Sequence, residues 1–166
     1  MPTDPETPGE SDNPAADAMP RWEQVVEDMA ATATAYRDRG WDAHEIHPGD
    51  VAITADDVER TGAELLAPDN EFDPLVDAFD STAGFERAEV FRADTGGTVY
   101  AVVAFENEAA ATAVLTPVYY SPEKHDEFVE MVEREGEVRI HVRPLDERRV
   151  LTFTIGDPDG FLPDGE

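Results

Sequence analysis

Cysteine is absent from this chain, lysine occurs once, at Lys124, and serine is confined to Ser11, Ser81 and Ser121. Without cysteine there are no disulfides, no thiolate nucleophiles and no thiolate metal sites. None of the serines lies in a G-x-S-x-G elbow, which removes that route to a hydrolase nucleophile. No GxGxxG or GxxxxGK[ST] pattern is present, so a nucleotide phosphate cradle has no support; Gly96-Gly97 reads as a hairpin turn instead. No apolar run reaches the roughly 18 residues a membrane-spanning helix needs. Met1 to Met19 lacks both a basic start and an apolar stretch, so no secretory signal is expected and the expected residence is cytoplasmic.

Positive charge is scarce too. Asp and Glu number 39 against 12 basic residues, giving a formal net charge of −27. A nucleic-acid binder needs a basic footprint, and this field is repulsive to phosphate, so no nucleic-acid partner is expected. The chain also has long periodic apolar segments, unlike an acidic disordered protein. The balance fits a protein adapted to molar salt. At about 1 M the Debye length is only about 3 Å, so neighbouring carboxylates are screened from one another and still bind water. Replacing lysine also removes apolar stems from the surface.

At 166 residues the chain can form one domain with a sizeable core. Residues 1–19 carry Pro2, Pro5, Pro8 and Pro14 among acids and small residues, and read as a disordered acidic tail before a single domain at 20–166. A helix is expected from Pro20, with Trp22, Val25, Val26, Met29, Ala33 and Tyr36 as its core stripe and Gly40 as its stop. Trp41–His47 reads as extended, Pro48-Gly49-Asp50 as a turn, Val51–Ile53 and Gly62–Ala67 as short strands, and Thr54–Asp57 as about one helical turn. A helix from about Glu71 to Asp80 follows.

The organising stretch is Phe85–Ile155. It reads as strands Phe85–Ala93, Thr98–Phe105 and Ala111–Tyr120, a helix Pro122–Glu135 capped by Ser121, and a hairpin with arms Val138–Arg143 and Arg148–Ile155. Thr98–Phe105 is apolar on both faces and should be central. Pro117 would remove a ladder donor and points to an edge, a bulge or a strand end. The expected architecture is α+β: an antiparallel sheet of about five strands, a three-strand meander, helix and hairpin, with an N-terminal helix and helices mainly on one face.

Candidate sites are few. His44, His47 and Asp50 could form a metal site, but in a strand His44 and His47 point to opposite faces, so no metal is expected there. His125, beside Glu123, Asp126 and Glu127, could serve as a general base in a small enzyme, against a structural role on its helix. Asp157-Pro158-Asp159-Gly160 lacks the remaining ligands of a calcium loop. Tyr119-Tyr120 could line a pocket or serve packing. Positive charge concentrates in the last hairpin, where Arg139, His141, Arg143 and Arg148 could bind a carboxylate or phosphate. Arg149 joins Arg148 across the turn, and Arg87 and Arg92 lie on another strand, though on different faces; the alternative for these residues is cross-strand pairing with Glu86, Glu89, Glu137, Asp146 and Glu147. No catalytic residue and no cofactor is indicated.

The segments Trp22–Tyr36, Gly40-Trp41, Pro48–Val51, Pro68–Phe72, Tyr119-Tyr120 and Arg143-Pro144-Leu145 resemble an uncharacterised haloarchaeal protein family, over about residues 20 to 163. The resemblance implies origin and cytoplasmic solubility, with no catalytic residues to carry over. The order of elements is also similar to the secretion-chaperone-like fold, whose members mostly bind segments of other proteins and are often dimers. The stretch Trp41–Gly84 departs from that pattern. The leading expectation is therefore a non-enzymatic protein-binding or adaptor module, with protein or a second copy (a homodimer) as partner. A small enzyme or an anion-binding domain is the alternative.

Overall fold

A computed structural model describes residues 14–55, 62–95, 97–146 and 148–162. Helix α1 spans Pro14–Asp38. It begins before the Pro20 start expected from the sequence, so only residues 1–13 of the expected tail lie outside the described ones. The helical turn expected at Thr54–Asp57 also runs beyond them after Ala55.

Among the described residues, eight strands form two sheets, where one of about five strands was expected. They are β1 (Asp42–Glu45), β2 (Asp50–Thr54), β3 (Gly62–Leu66), β4 (Arg87–Thr95), β5 (Thr98–Asn107), β6 (Thr112–Tyr120), β7 (Val138–Arg143) and β8 (Leu151–Ile155). The first sheet has the order β1-β6-β5-β4 and the second β2-β3-β7-β8. Neither is purely antiparallel: β1 runs parallel to β6, and β3 parallel to β7. The short strands before Phe85 thus divide between the sheets, extending the meander by β1 and the last hairpin by β2 and β3. Strands of four or five residues carry too little alternation to reveal that assignment.

The meander follows its apolar pattern. Strand β5 lies inside its sheet and is covered on both faces. Val99, Val103 and Phe105 enter the core between the sheets, while Tyr100, Val102 and Ala104 pack beneath α1 with Val25, Met29, Ala33 and Tyr36. Four layers of contact are therefore stacked in order: α1, the first sheet, the shared core, the second sheet. The helices do not gather on one face as expected. Helix α2 (Asp69–Asp80) and helix α3 (Asp126–Glu135) send Phe72, Leu75, Phe128, Met131 and Val132 into the core between the sheets.

Phe153 sits at the centre of that core, with ring centroids 4.9 Å from Phe105 and 5.4 Å from both Phe79 and Phe85. Truncating such a side chain costs about 3–5 kcal/mol, since the lost contacts leave a cavity that cannot fully collapse. A 3-10 turn at Pro158–Gly160 brings Phe161 against Tyr120, whose hydroxyl donates to the Phe161 carbonyl at 2.6 Å.

Pro117 lies within β6 but past the reach of β1, whose register ends at Glu45 opposite Leu115. There β6 has a strand neighbour on one side only among the described residues, and a missing N–H costs little. Helix α3 starts four residues later than expected. Residues 122–125 form a tight turn in which the N–H groups of Lys124 and His125 both donate to the Ser121 carbonyl, and the non-helical backbone of His125 delays the helix to Asp126. Gly62 has φ +127°, and a Cβ there would lie 2.2 Å from the Arg139 carbonyl oxygen, so β3 and β7 meet where only glycine fits.

Candidate functional site: a groove along β2

The cross-strand pair Tyr100 and Tyr119 stands on the α1 side of the first sheet, with ring centroids 6.2 Å apart and planes at 24°. Trp22, in the N-terminal half of α1, meets Tyr119 edge to face at 5.3 Å and 73°. Trp22 was expected in the core stripe of its helix. It lies outside the buried cluster and is half-buried, because the sheet beneath it ends at these two tyrosines.

The third wall is the loop that carries the chain from β1 to β2. Glu71 of α2 holds it, accepting from the His47 N–H and pairing with the ring Nδ1, both at 2.7 Å. The Gly49 N–H donates to the Leu66 carbonyl at 2.8 Å. Together these walls form an open cleft of about 280 Å³ lined by Trp22, Pro48, Gly49, Asp50, Val51, Tyr100 and Tyr119.

Two more cavities continue from it. One of about 390 Å³ is lined by Val51, Ala52 and Ile53 on one side and by Tyr119, Tyr120, Ser121, Lys124 and His125 on the other. The next, about 380 Å³, lies between Ile53, Thr54 and Ala55 and the start of α3, with Lys124, His125, Asp126 and Glu127. Successive residues of β2 thus line one side of all three. Strand β2 ends the second sheet, paired with β3 alone among the described residues.

The sequence-predicted residues are distributed as follows. His125 lines the groove, its ring Nδ1 3.1 Å from the Ser121 carbonyl oxygen. His44 and His47 are not brought together. His44 is half-buried on β1, and burial holds its pKa below the usual histidine value. Its face is shared with the buried Ile46, as strand alternation requires. No group of three His, Asp or Glu is placed to hold a metal among the described residues.

Arg139, His141 and Arg143 do share a face, the side of the second sheet turned away from the core, and carboxylates hold both guanidiniums. Arg139 pairs with Glu137 at 2.8 Å and Glu135 at 3.4 Å, and Arg143 donates through Nε to Glu64 of β3. His141 is buried, with Nδ1 2.9 Å from the Thr152 hydroxyl. Arg148 is not with them. It reaches α2, pairing with Asp73 at 2.6 Å, Asp69 at 3.5 Å and Asp146 at 3.1 Å. Arg149 clamps both oxygens of Asp80, at 2.6 and 2.8 Å, which holds that carboxyl below the ordinary range. Of the expected partners, Glu137 and Asp146 are in place, Glu89 lies 4.0 Å from Arg87 on its own strand, and Glu147 lies outside the described residues.

Sequence reasoning missed one polar cluster. Glu106, one residue past the expected strand end at Phe105, extends β5 and is buried. It accepts from the Tyr36 hydroxyl and from Arg87 at 2.7 Å. Burial, then the hydrogen bond to Glu106, pushes the Tyr36 phenol well above its usual pKa. This is a closed, satisfied network pinning α1 to its sheet. The signal for it was Arg87 directly opposite Glu106 in the hairpin register.

A family of unknown function, DUF7529, matches residues 9–163. The chain belongs to that family. No curated protein and no solved structure gives a significant match. For DUF7529 the groove therefore has to be read from its own chemistry.

Proposed function

We propose that this DUF7529 chain is a non-enzymatic protein-binding module that takes an extended segment of a partner protein along β2. One observation carries the reading: three adjoining cavities follow consecutive residues of an edge strand, with aromatic rings forming the opposite wall at one end. An edge strand offers a row of backbone N–H and C=O groups. A partner strand added there gains main-chain hydrogen bonds, and pockets beside it select side chains.

The anion-binding alternative at Arg139, Arg143 and Arg148 would require displacing carboxylates that already hold these guanidiniums. The enzyme alternative rests on His125 lining two cavities near Asp126 and Glu127. The bond from its ring to the Ser121 carbonyl favours a structural role.

Panning a displayed library of random short peptides on the full chain in molar salt tests the proposal. The expected result is a set of extended peptides whose binding falls about tenfold or more with Tyr119→Ala and is unchanged with Arg139→Gln. Peptides indifferent to Tyr119→Ala, or none selected, would overturn it.

The acidic composition supports a second element of the proposal, that the chain works in molar salt. Circular dichroism should show unfolding on dialysis into dilute buffer, as unscreened carboxylates repel. A retained spectrum would contradict it.

A further inference from the structure

We infer that the aromatic end of the groove is a subsite for an organic cation, of the quaternary or methylated ammonium or guanidinium kind. This specifies one end of the groove proposed above as the binding surface.

Among the described residues, seven line the cavity at that end, three of them aromatic, and Asp50 is the only charged one. Among the described residues, Lys124 and His125 line the other two cavities and not this one. Trp22 and Tyr119 are inclined at 73°, giving walls in two orientations, with Tyr100 nearly parallel to Tyr119. Ring faces carry negative potential and attract cations lying within about 6 Å of the centroid, tryptophan most strongly. Asp50 adds a formal negative charge at the rim. The chain's net charge of −27 disfavours an anionic occupant and favours a cationic one.

Selectivity follows from hydration. A potassium or sodium ion is compact and strongly hydrated, and gains little by exchanging water for ring faces. An alkylated ammonium spreads its charge over methyl groups, gives up water cheaply and presents apolar surface to the rings. The subsite should therefore take an organic cation from a solution full of inorganic ones. The same chemistry could arrive free, as a small ammonium compound, or on a partner's side chain, as methyl-lysine or arginine.

Fluorescence of the full chain carrying Trp41→Phe, so that Trp22 alone reports, tests this in molar potassium chloride at constant ionic strength. The probe is tetramethylammonium chloride, with tert-butanol as a neutral compound of similar shape. The expected result is a saturable change with tetramethylammonium and a response to tert-butanol at least about tenfold weaker. Tyr119→Phe should preserve the titration and Tyr119→Leu should weaken it about tenfold. Asp50→Asn should weaken it about threefold, as an exposed charge contributes modestly. Equal responses to the two probes would overturn the inference in favour of a plain apolar pocket, and absence of saturation would overturn it outright.

Acetylated trimethyllysine amide and arginine amide separate the sources: tighter binding than tetramethylammonium places the cation on a partner chain, and equal binding places it on a free small molecule. If panned peptides bind the groove with no cation at this end, the subsite fails and the protein-binding reading stands. If tetramethylammonium binds but no peptide does, the reverse holds.

Discussion

The two polar surfaces of the second sheet differ in kind. On its outer face, Arg139 and Arg143 stand out in sequence as a cationic stripe in an acidic chain, yet each is held by a carboxylate a few ångströms away. Along its β2 edge, the sequence offers only the pair Tyr119-Tyr120 as a pocket wall, with Asp50 and His125 singled out for other roles, yet Trp22, Tyr100, Tyr119 and Asp50 converge there from four separate segments. Concentrated charge is conspicuous in one dimension, and in a strongly acidic protein it is also the charge most readily neutralised within the fold. A groove made of ordinary packing residues exists only in three dimensions.

That contrast can be broken by substitution. The largest effect is expected at Gly62, where β3 runs beside β7 in the second sheet. Gly62→Ala forces Cβ onto the Arg139 carbonyl and should cost about 3 kcal/mol or more, read by denaturant unfolding in molar salt. An effect below about 1 kcal/mol would mean that the two strands can part at little cost.

Next, Arg143→Ala should lower stability by about 1–2 kcal/mol. It leaves the partly buried Glu64 without its guanidinium, while the pair's partial exposure tempers the loss. Binding to panned peptides should not change. Tyr119→Ala should show the opposite profile, with stability within about 1 kcal/mol of the parent, because the ring is 38 % exposed, and peptide binding lost. If both variants lose binding, the two surfaces are one site. A smaller change is expected at Arg148, whose partners are themselves exposed. Arg148→Ala should leave the denaturant midpoint close to the parent's, because water screens the exposed pairs.

Acid should act in two stages. His44 has its pKa lowered by burial, so the unfolded chain takes up a proton near its ordinary value of about 6.5 before the folded chain does. Its contribution to stability is complete above that pH and is lost as pH falls from there through the folded value. Asp80, held down by Arg149, and Asp146, held down by the Arg148 N–H, follow in the carboxylate range below about pH 4. His44→Gln should remove the first stage and leave the second.

The legible parts of the fold were those with a long, repeated physical signal. Strand β5 shows apolar residues on both faces from Val99 to Phe105, and it is the strand that separates the two cores. Gly136 ends α3 in the left-handed conformation, its N–H bonded to the Val132 carbonyl, as a glycine after an amphipathic run should. What was not legible depended on long-range partners. Nothing local in Asp42–Glu45 or Gly62–Leu66 states that each runs parallel to a strand dozens of residues away. Trp22 fits its helix stripe by spacing, and only the extent of the sheet beneath shows that the stripe overruns the core there. His125 was singled out and does line the groove, but by way of the turn at 122–125 rather than a helix face.

The most direct test of the groove is backbone amide chemical-shift mapping of the full chain in molar salt, titrated with the tightest panned peptide. The account predicts perturbations along Asp50–Thr54, at Trp22 and at Tyr119, with Arg139–Arg143 unmoved. Perturbations centred on Arg139–Arg143, with β2 silent, would contradict it.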